Sequence, residues 1–136
     1  SEMCIRDRGK TGESISQILN RFPFWFAKNY QKYAGHEEEM PFDQHFLVAL
    51  MAPRLVYTST KTNDSWADPA SEFESLVQAS PVYGLFGLKG LDRQEPPLPE
   101  NPLHEGSMGH HHKTGDHDMD EYDWNQYMNF ADKHMR

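Results

Sequence analysis

The chain has 136 residues and a net charge of −8, enough for one domain and the wrong sign for a nucleic-acid or anionic membrane partner. Its single cysteine excludes an internal disulfide and a cysteine-based zinc site, and no apolar run is long enough to span a membrane. Three Trp, six Tyr and eight Phe point to a packed core or a sugar-stacking surface, not to disorder.

In chain order, Met3-Cys4-Ile5-Arg6-Asp7-Arg8 is what ATG TGT ATA AGA GAC AGn encodes, a common sequencing-adapter end. Residues 1–8 are therefore expected to be non-native, with the evolved domain over 9–136. Residues 14–20 predict a helix with Ile15, Ile18 and Leu19 on one face. The aromatic run Phe22-Pro23-Phe24-Trp25-Phe26 interrupts it at the proline and is expected in the core. Glu37 to Glu39 read as a solvated loop. Asp43 suits the cap of a helix with Phe46, Leu47, Leu50 and Met51 facing inward and Pro53 at its end. Leu55-Val56-Tyr57-Thr58 reads as a buried strand of a parallel sheet, which places Asp64-Ser65-Trp66-Ala67-Asp68 at its carboxyl end. Open α/β sheets bind ligands at that edge.

Pro69 fits the first turn of a helix with Phe73, Leu76 and Val77 inward. Residues 82–88 predict a separate short helix. Residues 90–107, with Pro96, Pro97, Pro99 and Pro102, predict a surface excursion. Residues 109–112 predict a second strand, and Gly115 a tight turn presenting His117. A closing helix follows, with Trp124, Tyr127, Met128, Ala131 and Met135 at the spacing of a buried face.

A histidine on a loop between a terminal strand and a terminal helix, with an acid on an earlier strand-end loop, is the base-and-acid arrangement of a hydrolytic triad. His117 is the candidate base and Asp64 the candidate acid. Asp68 competes for the acid role, although its position before Pro69 suits a helix cap. The chain carries no Gly-x-Ser-x-Gly elbow. The fold expected is α/β, the C-terminal portion of an α/β-hydrolase three-layer sandwich. His110, His111 and His112 invite a metal reading. Alternate strand residues face opposite ways, so all three cannot converge, and neither a metal nor a cofactor is expected.

Several stretches resemble the glucuronoyl esterases of carbohydrate esterase family 15. They are Gly12-Glu13, residues 21–26, residues 41–54 (Pro-Phe-Asp-Gln-His-Phe-Leu at its start), residues 64–69, Glu72-Phe73, and Gly115-Asp116-His117 followed by Tyr122-Asp123-Trp124 and Phe130-Ala131-Asp132-Lys133-His134. The resemblance implies a fragment of a serine-type carboxylic ester hydrolase acting on glucuronate esters of xylan at lignin–carbohydrate linkages, inactive without its serine. It gives His117 the base, Asp64 the acid, Trp66 the face that packs on the glucuronate ring, and Glu13 the carboxylate that bonds the sugar hydroxyls. His111 matches a position where the family also has histidine. An intact parent would be monomeric and secreted or periplasmic, with glucuronoxylan or a lignin–carbohydrate ester as partner. The alternatives are an acetyl-xylan or general carboxylesterase fragment, and a catalytically dead carbohydrate-binding domain.

Overall fold

The computed structural model describes residues 12–135, so the adapter-like start at residues 1–8 lies outside the described residues. Helix α1 (Ile15–Arg21) begins at a reciprocal cap. Ser14 accepts from the Gln17 N–H at 3.2 Å, and the Gln17 amide oxygen accepts from the Ser14 N–H at 2.7 Å. Ile15 and Leu19 are buried with Met40 in a small cluster flanked by Phe26, Tyr30, Tyr33 and Ala34. Three single-turn 3₁₀ segments follow, Pro23–Trp25, Gln31–Tyr33 and Glu37–Glu39. The aromatic run is core only in part, through Phe26. Trp25 stacks on Phe22 at 4.2 Å between ring centroids, but Phe24 and Trp25 are both exposed.

Strands β1 (Val56–Lys61) and β2 (Met108–Lys113) form a two-stranded parallel sheet, with Val56 opposite Met108 and Lys61 opposite Lys113. A parallel pair needs a long crossover. Here it is helix α3 (Pro69–Gly84) together with residues 85–107. Helix α2 (Gln44–Ala49) precedes β1, and helix α4 (Glu121–His134) follows β2. Thr58 and Thr60 on β1, with His110 and His112 on β2, face the α3 side, where Phe73 meets the His110 ring. Tyr57, Ser59 and Lys61 face α4 through Phe130, Tyr127 and Asp123. Alternation along the strands thus puts one helix on each face, giving the helix–sheet–helix layering of an α/β-hydrolase.

The main core joins Phe73, Leu76, Ala79 and Tyr83 of α3 to Leu91, Leu103 and Met108. Four expectations change here. Helix α2 presents Val48 and Ala49, with Ala52 just beyond, to this core and leaves Phe46, Leu47, Leu50 and Met51 exposed. Residues 46–52 carry apolar side chains all round, so periodicity does not choose the face, and the smaller side chains allow the closer approach to α3. Helix α3 runs through Pro81 as one helix instead of breaking before residue 82. Proline removes one N–H from the ladder, but the last turn is held by Ala79 and Tyr83. Both are fully buried, and the Tyr83 hydroxyl donates to the Arg54 carbonyl at 2.8 Å.

The excursion over residues 90–107 is not all surface. Leu91 and Leu103 enter the core, and Leu103 exchanges backbone hydrogen bonds with His110 at 2.7 and 3.1 Å, covering the outer edge of β2. Helix α4 buries Asp123 and Phe130 and half-buries Tyr127, whereas Trp124, Met128 and Met135 are exposed. A buried carboxylate turned the helix away from its apolar stripe. Gly109 lets this helix sit close: a Cβ there would lie 2.4 Å from the Tyr57 ring and 2.8 Å from that of Phe130.

Candidate active site

Because β1 and β2 are parallel, the loops after both strands leave from the same edge of the sheet. The two loops are stitched together. The Thr62 N–H donates to the Lys113 carbonyl at 2.9 Å and the Asn63 N–H to the Gly115 carbonyl at 3.0 Å. The Gly115 N–H donates to the Thr62 hydroxyl at 3.2 Å, and the Asn63 amide to Asp116 at 3.0 Å. Gly115 has φ of +144°, a conformation glycine adopts without strain, and it turns the chain so that His117 returns over Asp64.

His117 Nδ1 and Asp64 Oδ2 are 2.5 Å apart. The carboxylate accepts from Nδ1–H, which leaves Nε2 as the acceptor. The imidazole is 88% exposed while the Asp64 side chain is 13% exposed. The imidazole therefore stands open to an incoming group, and the carboxylate behind it is shielded. The hydrogen bond to Asp64 and the charge of that carboxylate push the His117 pKa up, with Glu72 and Asp118 adding to the effect. Asp68 is occupied elsewhere. It caps α3, accepting from the Ser71 N–H at 3.3 Å and the Ser71 hydroxyl at 2.7 Å.

Trp66 lies on the same loop as Asp64 and is 51% exposed. Its carbonyl accepts from the Glu13 N–H at 3.0 Å, which ties Glu13 to this loop from the other end of the chain. Gly12 makes the approach possible: at φ of +101° it packs on Asp68, where a Cβ would come within 2.9 Å of the Asp68 Cβ. His117, Asp64, Trp66 and Glu13 are thus carried on adjoining segments at one edge.

The histidine run of β2 splits as alternation requires. His110 Nδ1 meets the Thr58 hydroxyl at 2.9 Å, and His112 Nδ1 meets that of Thr60 at 2.8 Å. His111 points to the opposite face and is 0% exposed; its Nε2 lies 2.7 Å from Asp123 Oδ1 and its Nδ1 3.1 Å from the Tyr57 hydroxyl. Burial pushes His111 toward the neutral form, with the Asp123 hydrogen bond opposing. Nε2–H then donates to Asp123, Nδ1 accepts from the Tyr57 O–H, and the Tyr57 oxygen accepts from His104 Nε2–H at 3.0 Å. Lys61 Nζ completes the cluster at 2.5 and 2.6 Å from the two oxygens of Asp123. Burial alone would raise the Asp123 carboxyl, but Lys61, the Asp120 N–H and His111 hold it well below the usual carboxylate range.

No functional role for Lys61, Tyr57 or Asp123 is read from the sequence. The available signal was a lysine at the end of a strand of buried character and an aspartate at the i, i+4, i+7 spacing with Tyr127 and Phe130.

The two kinds of histidine should separate in a titration. His117 is expected to titrate above the ordinary histidine value of about 6.5, and His110, which burial pushes down to about 3, to stay neutral through the mildly acidic range. The stability consequences have opposite signs. The His117–Asp64 contact contributes below the unfolded pKa of histidine and fades as pH rises through the raised folded value. The neutral His110 costs stability as pH falls from about 6.5 toward 3, because the unfolded chain takes up the proton first. Histidine-resolved NMR checks both, and a His117 pKa at or below the ordinary value would contradict the pairing.

A family sequence model described as "Glucuronyl esterase, fungi" matches residues 2–87. "Carbohydrate esterase MZ0003", from an unknown prokaryotic organism, is 41% identical over 128 residues, which covers 94% of this chain and 29% of that relative. Among solved structures, a promiscuous CE15 esterase from the marine bacterial metagenome aligns with a TM-score of 0.89 at 40% identity, over 92% of this chain and 31% of that one. The glucuronoyl esterase from Solibacter usitatus aligns with a TM-score of 0.81 at 46% identity, over 86% of this chain and 30% of that one. The chain spans less than a third of the length of each of these relatives. With the family match covering more than half of its residues, the chain belongs to the glucuronoyl esterases of carbohydrate esterase family 15.

Proposed function

We propose that this chain supplies the base, the orienting acid and part of the sugar-binding surface of a serine-type glucuronoyl ester hydrolase. The observation that carries the reading is the 2.5 Å contact between His117 Nδ1 and Asp64 Oδ2 at the carboxyl edge of the sheet, with Nε2 turned to solvent. In the complete domain, a serine from the part of the family fold outside this chain attacks the ester carbonyl. His117 Nε2 takes the serine proton and returns it to the departing alcohol, and Asp64 stabilises the imidazolium between the two transfers. Water then repeats the sequence on the acyl-enzyme. Donors aimed at the carbonyl oxygen belong to the same outside part. The chain alone is inactive because the serine is not in it, and the reaction needs no metal.

Trp66 and Glu13 support a glucuronate substrate over a plain acetyl ester. The tryptophan offers a half-exposed ring on the loop that carries Asp64, and the Glu13 carboxylate an acceptor for sugar hydroxyls. The likeness to the Solibacter glucuronoyl esterase supports the same reading. By the family resemblance the intact parent is a monomer that acts on glucuronoxylan or a lignin–carbohydrate ester and is secreted or periplasmic.

Trp66→Ala in a completed enzyme tests the substrate class. By analogy with base stacking at about 1–3 kcal/mol, the substitution should lower kcat/KM for a glucuronate ester by about one to two powers of ten. A small activated ester without the sugar should keep appreciable turnover. Equal losses on both substrates with an intact fold would remove Trp66 from sugar binding and favour a general carboxylesterase. Saccharide binding with no turnover of either ester would favour a dead carbohydrate-binding domain.

A further inference from the structure

Lys61 ends β1, three residues before Asp64, and Asp123 lies in the first turn of α4, six residues after His117. Their side chains meet beneath both loops in a bidentate contact of 2.5 and 2.6 Å, with His111 as third member. Lys61 and His111 are buried, and Asp123 is 1% exposed. The Lys61 ammonium also lies 3.8 Å from Asp118 Oδ1, on the residue that follows His117. On the other side of His117, Gly115 and Asp116 are bonded to Thr62 and Asn63. His117 is bracketed on both sides by residues held from the end of the strand that also launches Asp64.

We propose that the buried Lys61–Asp123–His111 cluster is the positioning element of the His117–Asp64 pair, locking the first turn of α4 to the end of β1 so that the imidazole meets its carboxylate. The proposal rests on the reading of that pair as base and acid. Stability alone is a poor reason for the cluster, since well-packed apolar side chains in place of a buried ion pair are often neutral or stabilising. What the charged contact adds is a tie between two set positions, because drawing the buried pair apart would leave each charge uncompensated. The first turn of α4 is tied to β2 at its cap by the Lys113–Asp120 ion pair and at Tyr122 by the His111 ring, and the helix meets β1 further along at Tyr127 and Phe130. The Lys61–Asp123 contact is what ties the first turn itself to β1, the strand that launches Asp64. Lys61, Asp123 and His111 are positioning residues here, not catalytic ones.

The test is an NMR titration of the His117 imidazole in the 136-residue chain, read as the drop in its pKa caused by Asp64→Asn. Glu72 and Asp118 also face His117, and their direct fields cancel in that difference. In the otherwise unsubstituted chain the drop should be clear. In Lys61→Met/Asp123→Asn it should shrink toward zero. That double variant removes both buried charges together; the one amide oxygen serves the Asp120 N–H, and the amide NH2 donates to His111 Nε2 in its other tautomer. Asp118→Asn, a surface change that leaves the buried cluster intact, should give a smaller loss of coupling, and Lys61→Arg should retain it. Undiminished coupling in the folded double variant overturns the proposal. Should that variant fail to fold, undiminished coupling in a folded Asp123→Asn single variant overturns it instead. If Asp64→Asn leaves His117 unmoved in the unsubstituted chain, the base–acid reading falls, and the cluster has nothing to position.

Discussion

In an enzyme completed with a nucleophilic serine, His117→Ala is expected to lower kcat by about 10⁶-fold. The loss should be similar on a glucuronate ester and on a small activated ester, because each requires the serine proton to be taken up as the new bond forms. The histidine is 88% exposed and its contact is made through Nδ1, so removing it leaves the core untouched and should not lower the melting temperature appreciably. That separates a chemical loss from a folding loss. Steady-state kinetics on both substrates, with a thermal melt of the same samples, checks the prediction. Retention of turnover on either ester would show that the base has been misassigned.

Asp64→Asn should cost about 10⁴ in kcat, since an amide leaves the loop intact but no longer enforces the required tautomer. The backbone bond from the Ala67 N–H to the Asp64 carbonyl at 3.2 Å does not involve the side chain and remains. The pH profile should move as well. Asp64 holds the His117 pKa up, so its loss lowers that value and shifts the acidic limb of kcat/KM toward lower pH, where the weakened base is still neutral. Asp68→Asn is the informative contrast. Asp68 caps α3, and asparagine serves that position comparably, so the rate should stay within a few-fold of the unsubstituted enzyme. Losses of the opposite order in the two variants would move the acid role to Asp68.

The site was more legible in the sequence than the packing around it. A histidine after a glycine turn and an acid on the preceding strand-end loop are local signals, and parallel pairing of β1 and β2 is enough to bring them together. The cap role of Asp68 was equally local, given Pro69 beside it. The faces of α2 and α4 were not legible. In α2 the apolar residues surround the helix, so the pattern allows either the bulky set from Phe46 to Met51 or the small set of Val48, Ala49 and Ala52. In α4 the buried position belongs to Asp123, whose partners are 62 residues back at Lys61 and 12 back at His111. A buried ion pair between distant segments leaves no periodic trace, and hydropathy scores it as surface. Pro81 misled for a related reason, since the buried Tyr83 side chain outweighs one missing backbone bond.

The most direct measurement is ester hydrolysis by this chain joined to an amino-terminal part of a family esterase that carries the nucleophilic serine, with the 136-residue chain alone as the control. The expected result is saturable hydrolysis of a glucuronate ester by the joined protein and none by the chain alone. Saturable hydrolysis by the chain alone, or a folded joined protein that binds glucuronate and never turns it over, would contradict it.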